Sequence, residues 1–234
     1  MFVIQHHERL GSTNDEARRL AAQGAPHGTV IHADEQTAGR GRLSRAWFSP
    51  PGNLYVSVLL RLDAPLGRLA ELSFLTAVAV ANTVDTLLPK QTRATLKWPN
   101  DVLVDGGKIA GILLEQVEDA TIVGVGLNVL FAPHNVAYKT TTLAASGGIA
   151  SVDGSRDILL ERLGQHLAIW VADGFGPIRE LWMARAHPVG TPLRVAMGNH
   201  IAEGAFAGLD DDGALLLDTD DGRKRVMAGD VGAT

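Results

Sequence analysis

Apolar residues recur along this chain in two rhythms. From Asn53 to Leu62 they alternate, with Leu54, Val56, Val58 and Leu60 on one side, which predicts a strand buried on one face. Thr29 to Ala33 is a shorter apolar run of the same kind. Between Arg68 and Leu88 the apolar residues crowd together, and the 13 residues from Leu72 to Val84 carry no charge, bracketed by Glu71 and Asp85. About 20 apolar residues are needed to span a bilayer, so this stretch predicts a buried helix. Thr13 and Glu16 have capping-box spacing, and a helix is expected from there to about Gln23, before Gly24. Ala94 to Trp98 reads as a strand stopped by Pro99, and Val102-Leu103-Val104 and Ile109 to Glu115 flank Asp105-Gly106-Gly107 as a hairpin. Thr121 to Val129 is a further strand. Ile158, Leu159, Leu163, Leu167 and Trp170 have helical spacing within Ser155 to Val171, and a shorter helix is expected over Pro177 to Arg185.

Strands separated by a few helices, with hairpins between them, argue for an α+β fold: a mixed β-sheet packed with helices, not a doubly wound one. The composition changes after His187-Pro188. Short strands at Leu193 to Met197, Glu203 to Leu209 and Ala214 to Leu217 are punctuated by Gly198-Asn199, Asp211-Asp212-Gly213 and Asp221-Gly222, which suits a small C-terminal β-barrel. The expected domains are therefore residues 1–187 and 188–234.

With 234 residues, 46% hydrophobic and 20% charged, the chain can bury one large core and a small appended one. Its 21 basic and 26 acidic residues give a net charge of -5, without the broad positive field that duplex DNA binding uses. It has no cysteine, hence no disulfide, thiolate metal site or cysteine nucleophile. The N-terminus lacks a basic region followed by a long apolar run, so no signal peptide is expected, and a cytoplasmic location with no membrane partner fits.

One segment runs against the overall charge. Gln36-Thr37-Ala38-Gly39-Arg40-Gly41-Arg42-Leu43-Ser44-Arg45-Ala46-Trp47 combines three arginines, two glycines and a tryptophan in a single copy between two apolar runs. Glycines let backbone N–H groups approach a ligand, and each guanidinium offers a planar fork to carboxylate or phosphate. Lys97 projects from an apolar strand, where a lysine needs either water or an anion. Lys108 follows the hairpin turn and is either a solvated charge or a ligand contact. Gly124 and Gly126, one residue apart in a strand, either clear one face for a ligand or mark bulges. Ser12 and Thr13 also admit the plain reading of helix caps, and Asp101 that of a turn residue.

Taken together, Ser12-Thr13-Asn14, Gln36 to Arg42, Trp47-Phe48-Ser49-Pro50, Lys97-Trp98-Pro99-Asn100-Asp101, Lys108-Ile109-Ala110-Gly111-Ile112-Leu113 and Gly124-Val125-Gly126-Leu127-Asn128 strongly resemble the biotin protein ligases in order and spacing. The resemblance implies a catalytic domain followed by a small barrel, and a two-step reaction. Biotin carboxylate attacks the α-phosphorus of ATP to give biotinyl-5'-adenylate. A lysine of a biotin carboxyl carrier protein then attacks the acyl carbon. By resemblance Lys97 and Arg42 neutralise the two anions that must meet. The acceptor lysine must lose its proton in the second step, and Asp101, the nearest carboxylate in a matched block, is expected to orient that amine or accept its proton. Ser12, Thr13, Asn14, Gln36, Gly39, Arg40, Gly41, Gly111, Gly124 and Gly126, with Arg42 and Lys97, are expected to bind biotin. Arg42, Arg45, Trp47, Lys97, Asn100, Lys108 and Asn128 are expected at ATP. Magnesium is implied as a cofactor, with ligands the sequence does not identify.

The family usually has glycine where this chain has Ser44, which implies a stiffer arginine loop. Only eleven residues precede Ser12, so the type without an N-terminal DNA-binding domain, and no DNA partner, is expected. The oligomeric state stays open, a homodimer included. A lipoate or octanoate ligase of related architecture and a non-catalytic biotin sensor are the alternatives; the Gly-Arg-Gly-Arg segment argues against the first, and no partner surface supports the second.

Overall fold

The computed structural model describes residues 2–198 and 200–232; Asn199, in the turn expected after Gly198, lies outside the described residues, as do residues 1, 233 and 234. In chain order the elements are β1 (Val3–Leu10), α1 (Thr13–Ala22), β2 (Thr29–Gln36), β3 (Leu54–Arg61), α2 (Leu66–Leu69), α3 (Glu71–Leu87), β4 (Ala94–Lys97), β5 (Asp101–Val104), β6 (Gly107–Val117) and β7 (Ala120–Leu127), followed by α4 (Val152–Asp173), α5 (Phe175–Met183), β8 (Pro192–Met197), β9 (His200–Leu209), β10 (Leu215–Thr219), β11 (Gly222–Val226) and β12 (Asp230–Gly232).

The first seven strands form a mixed sheet in the order β1-β2-β3-β7-β6-β5-β4. β1 and β2 are parallel, connected through α1, and the other pairings are antiparallel. The hairpin between β5 and β6 closes on a two-residue turn, Asp105-Gly106, both at positive φ, as the Asp-Gly pair favours. β1 was not evident in the sequence. It is an edge strand whose residues are mostly exposed, so it has no apolar alternation, and only pairing with β2 identifies it.

One face of the sheet, with Val56, Val58, Leu96, Val102, Ile112, Val123 and Val125, packs on α3 and α4. α3 is buried nearly all round, as its composition requires. Its β-branched Thr76, Val78, Val80, Thr83 and Val84 lower helix propensity by at most about 0.7 kcal/mol each, whereas burying a Val or Leu side chain gains about 1.5–3 kcal/mol, so packing decides the conformation. The buried hydroxyls of Thr76 and Thr83 donate to the carbonyls of Leu72 and Ala79 one turn back. The helix expected from Arg68 to Leu88 is interrupted at Ala70, and α3 begins where the buried Glu71 carboxylate accepts a 2.5 Å hydrogen bond from Trp170 Nε1 of α4.

The opposite face is covered at one end by α1, where Ala17 meets Ile31 and Ile122 and Ala21 meets Leu59 and Ala120. The capping box expected at α1 does not form. Ser12 is the N-cap without a side-chain bond, Glu16 pairs with Arg19, and Thr13 has turned toward the sheet. Tertiary partners have displaced the local one.

The C-terminal strands make a five-stranded antiparallel sheet in the order β11-β10-β9-β8-β12. Leu193, Val195, Phe206, Leu215 and Leu217 continue the main core without a break. Trp98 Nε1 donates to Gly213 O at 3.2 Å and Arg179 Nε to Leu209 O at 2.8 Å, fastening the second sheet against β4 and α5. The Asp210 and Asp212 carboxylates of the acidic turn receive the Arg225 guanidinium.

Candidate active site

Strand register builds the floor of the site. Tyr55, Gly126, Gly111, Asp101 and Lys97 lie in one cross-strand row over β3, β7, β6, β5 and β4, and Ser57 and Gly124 form the next. Lys97 faces away from the core that holds Leu96 and Trp98, as the alternation of β4 required. The glycines of the rows make room for protein side chains. A Cβ on Gly124 would collide with Asn14 Oδ1, and one on Gly126 with the Trp47 indole; one on Gly111 would come within 3.1 Å of the same ring. Trp47 therefore lies flat on the glycine row, with Lys108 Nζ 5.3 Å from its ring centroid. Its Nε1 is buried against Gly126 and has no hydrogen-bond acceptor among the described residues.

The start of α1 supplies a wall of neutral polar groups. Gln36 Oε1 accepts from Thr13 N at 2.8 Å and from Thr13 Oγ1 at 3.1 Å, while Gln36 Nε2 donates to Ser49 Oγ at 3.0 Å. Ser57 Oγ lies 2.8 Å from Thr13 Oγ1 and 2.6 Å from Asn14 Oδ1. Asn14 Nδ2 donates to Glu115 at 2.7 Å. Ser12, Thr13 and Asn14 are each 4% exposed, and the network fixes the rotamers of Thr13 and Asn14.

The cations divide into those with partners and one without. Glu115 receives Arg18 at 2.6 Å and Arg40 at 2.9 Å, and Arg40 also reaches Asp15. Burial works against the Arg40 charge, but Glu115 and Asp15 outweigh it and hold the guanidinium protonated more firmly than usual. Arg42 Nη1 lies 3.3 Å from both Asn100 Oδ1 and Asp230 Oδ1, and Arg45 is paired with Asp230. Lys108 Nζ stands 2.6 Å from Asp101 Oδ1, a charge contact without hydrogen-bond alignment. Lys97 and Lys139 line the cleft with no ion pair among the described residues, but Lys139 Nζ donates to Asp105 O at 2.6 Å, whereas the Lys97 ammonium has no protein partner there. His187 senses its charge, since burial first and Lys97 second push that imidazole below its ordinary range.

These groups enclose a cleft of about 550 Å³, within the usual size of a small-molecule site. Sixteen of the eighteen residues singled out in the sequence line it; Gly39 and Asn128 do not. A Cβ on Gly39 would collide with Ser49 Oγ, so its role is to let the loop pass close to Ser49. Asn128 is 2% exposed and donates to Thr141 O at 3.1 Å and Lys108 O at 3.4 Å, behind the cleft.

Residues 7–131 match the model of the Biotin/lipoate A/B protein ligase family, and residues 190–231 match the Biotin protein ligase C terminal domain. The second match bears on the choice within the family, because it covers the small C-terminal sheet. The chain belongs to the biotin protein ligases. The ligase is 37% identical to the Bifunctional ligase/repressor BirA of Bacillus subtilis over 97% of this chain and 72% of that protein. It is also 37% identical to the Biotin--[acetyl-CoA-carboxylase] ligase of Paracoccus denitrificans over 95% of this chain and 97% of the relative. Its fold matches the biotin protein ligase from Aquifex aeolicus in complex with biotin and ATP with a TM-score of 0.85 and 27% identity, covering 98% and 97% of the two chains.

Several residues of the ligase cleft were not legible in the sequence. Tyr138 and Lys139 arrive on the long loop after β7, and Asp230 arrives from the C-terminal sheet. Glu115 was read only as the end of a strand, although a carboxylate in an otherwise apolar run was a signal that a cation would meet it. Asn53 is fully buried, its Oδ1 accepting from the N–H groups of Val129, Leu130 and Phe131 at 2.9, 2.9 and 3.0 Å, and it fixes the chain leaving β7.

Proposed function

We propose that this cleft joins biotin carboxylate to the α-phosphorus of ATP, releasing pyrophosphate, and then passes the biotinyl group to a lysine of a biotin carboxyl carrier protein, releasing AMP. The activity is that of a Biotin--[acetyl-CoA-carboxylase] ligase. The observation that carries the assignment of roles is Lys97, a cation at the end of a glycine-floored cleft with no protein carboxylate to neutralise it. Two anions must approach each other in the first step, and a preorganised unpaired charge stabilises what develops between them. Arg42 and Arg45 face the phosphate side, with Gly41 and Arg40 holding the loop. Ser12, Thr13, Asn14 and Gln36 supply donors and acceptors to the neutral ureido ring, and the backbone at Gly111, Gly124 and Gly126 borders it. Trp47, Asn100 and Lys108 serve the nucleotide, and Asn128 acts from behind by holding the Lys108 carbonyl. Asp101 serves the second step, where the acceptor amine loses its proton as the N–C bond forms and the C–O bond to AMP breaks.

The two domains in this reading are residues 1–187, catalytic, and 188–234, the C-terminal sheet. Magnesium fits no protein site: among the described residues no group of three carboxylates or imidazoles converges, and the cleft's Asp101 and Asp230 already hold cations. No step here uses it. No described helix is long and apolar enough to cross a membrane, and the demand for ATP together with the absence of cysteine supports the cytoplasm. The test is exchange of labelled pyrophosphate into ATP followed by transfer to the carrier domain of acetyl-CoA carboxylase. Exchange dependent on biotin, and not on lipoate, is expected; exchange with lipoate, or none with biotin, would overturn the reading.

A further inference from the structure

The arginine loop is held from an unexpected direction. Asp230 is the first residue of β12 in the C-terminal sheet, and its carboxylate bridges two loop arginines: Oδ1 lies 3.3 Å from Arg42 Nη1, and Oδ2 takes Arg45 Nη2. Arg42 Nη2 donates to the neighbouring Gly229 O at 3.2 Å. Between these arginines the backbone is left-handed at two successive residues, Leu43 (φ 53°) and Ser44 (φ 57°). L-residues adopt this conformation against steric resistance. Two backbone bonds close the turn, Arg45 N to Arg42 O at 3.2 Å and Gly41 N to Arg45 O at 2.7 Å. The side chains inside it contribute little: Leu43 is 75% exposed, and Ser44 makes no side-chain hydrogen bond among the described residues. Asn100 Oδ1 and Gly229 O hold Arg42 alone; the Asp230 carboxylate is the one group among the described residues that grips both ends of the turn. Ser44 also occupies the place where the resemblance leads one to expect glycine, which would accept φ 57° without strain.

We propose that Asp230 is a positioning residue for adenylate formation: by clamping Arg42 and Arg45 it keeps the strained turn in the shape that presents Arg42 to the phosphates, and the C-terminal sheet thereby completes the ATP site. This rests on the assignment of Arg42 and Arg45 to the phosphate side. The clamp replaces locally the conformational freedom that a glycine at position 44 would have supplied.

The test uses the full chain and its biotin-dependent pyrophosphate exchange. Asp230→Asn keeps the shape and removes the charge, and it is expected to raise KM for ATP about tenfold, the worth of one charge-assisted hydrogen bond, while biotin affinity by calorimetry and the melting midpoint stay at parent values. Asp230→Glu should recover most of the loss. In a Ser44→Gly background, where the turn is no longer strained, Asp230→Asn should cost no more than about threefold, because less depends on the clamp. An unchanged or lower KM for ATP in Asp230→Asn would overturn the proposal, the lower value meaning that Asp230 only competes with the nucleotide for the arginines. Equal losses in biotin affinity and melting midpoint, with no recovery by Glu or by Ser44→Gly, would assign Asp230 to the fold alone and also overturn it. A parent chain without biotin-dependent exchange would instead defeat the functional reading on which the proposal stands.

Discussion

Replacing Lys97 with Met tests the assignment of roles most directly. The substitution keeps the apolar stem and removes the charge. Lys97 has no carboxylate partner among the described residues, and its cross-strand neighbour Asp101 is matched to Lys108, so the change strands no buried counter-charge. Folding should therefore stay within about 0.5 kcal/mol of the parent, the range of substitutions that break no buried network. The chemical cost is much larger. A unit charge 4 Å from a reacting anion interacts by about 4 kcal/mol at an effective dielectric constant of 20, and removing one preorganised donor to a developing anion costs about 2.7–4 kcal/mol, or about a hundredfold to a thousandfold in kcat. These agree, so a loss of that size is expected in biotin-dependent pyrophosphate exchange at saturating ATP. A second readout checks that the charge sits where the structure places it: the His187 imidazole, held down by burial and by Lys97, should titrate nearer its ordinary range in the variant, by NMR. A folded Lys97→Met enzyme with parental exchange would refute the role of Lys97 in the first step.

Asp101→Asn removes the counter-charge of Lys108, and single-turnover transfer from preformed biotinyl-adenylate should slow more than adenylate formation; equal effects on both steps would leave Asp101 a structural partner of Lys108. Asn53→Ala leaves three backbone N–H groups without their buried acceptor, at about 1–3 kcal/mol for each group water does not reach, so urea unfolding should reveal a loss of more than about 2 kcal/mol. The His32 imidazole is pushed below its ordinary range by burial first and by the charge of Arg156 second. Its folded-state pKa is thus lower than the unfolded value of 6.5, so its contribution is fully present above that pH and declines as pH falls below it. Between those two pKa values the decline approaches about 1.4 kcal/mol per pH unit, and His32→Gln should flatten the stability profile below pH 6.5; an unchanged slope would contradict the assignment.

The sequence determined the elements that carry their own periodicity. The alternation of β3, the Asp-Gly turn of the β5–β6 hairpin and the uniformly apolar α3 are local patterns, and each appears where the residues place it. The position of Lys97 opposite the core face of β4 follows from period two alone. Tertiary structure decided the rest, because it depends on which strands become neighbours. Nothing local reveals that Gly111 and Gly126 pair across β6 and β7, or that the space beside Gly124 and Gly126 is taken by Asn14 and Trp47. β1 has no apolar rhythm and exists through its pairing with β2. Three arginines in one loop all read as ligand contacts, yet Arg40 is claimed by Glu115 and Asp15 while Arg42 and Arg45 share Asp230, some 185 residues further along the chain. Charge in a sequence gives the supply of cations. Only the folded chain, by bringing distant carboxylates within hydrogen-bond reach, decides which cation is left for a substrate.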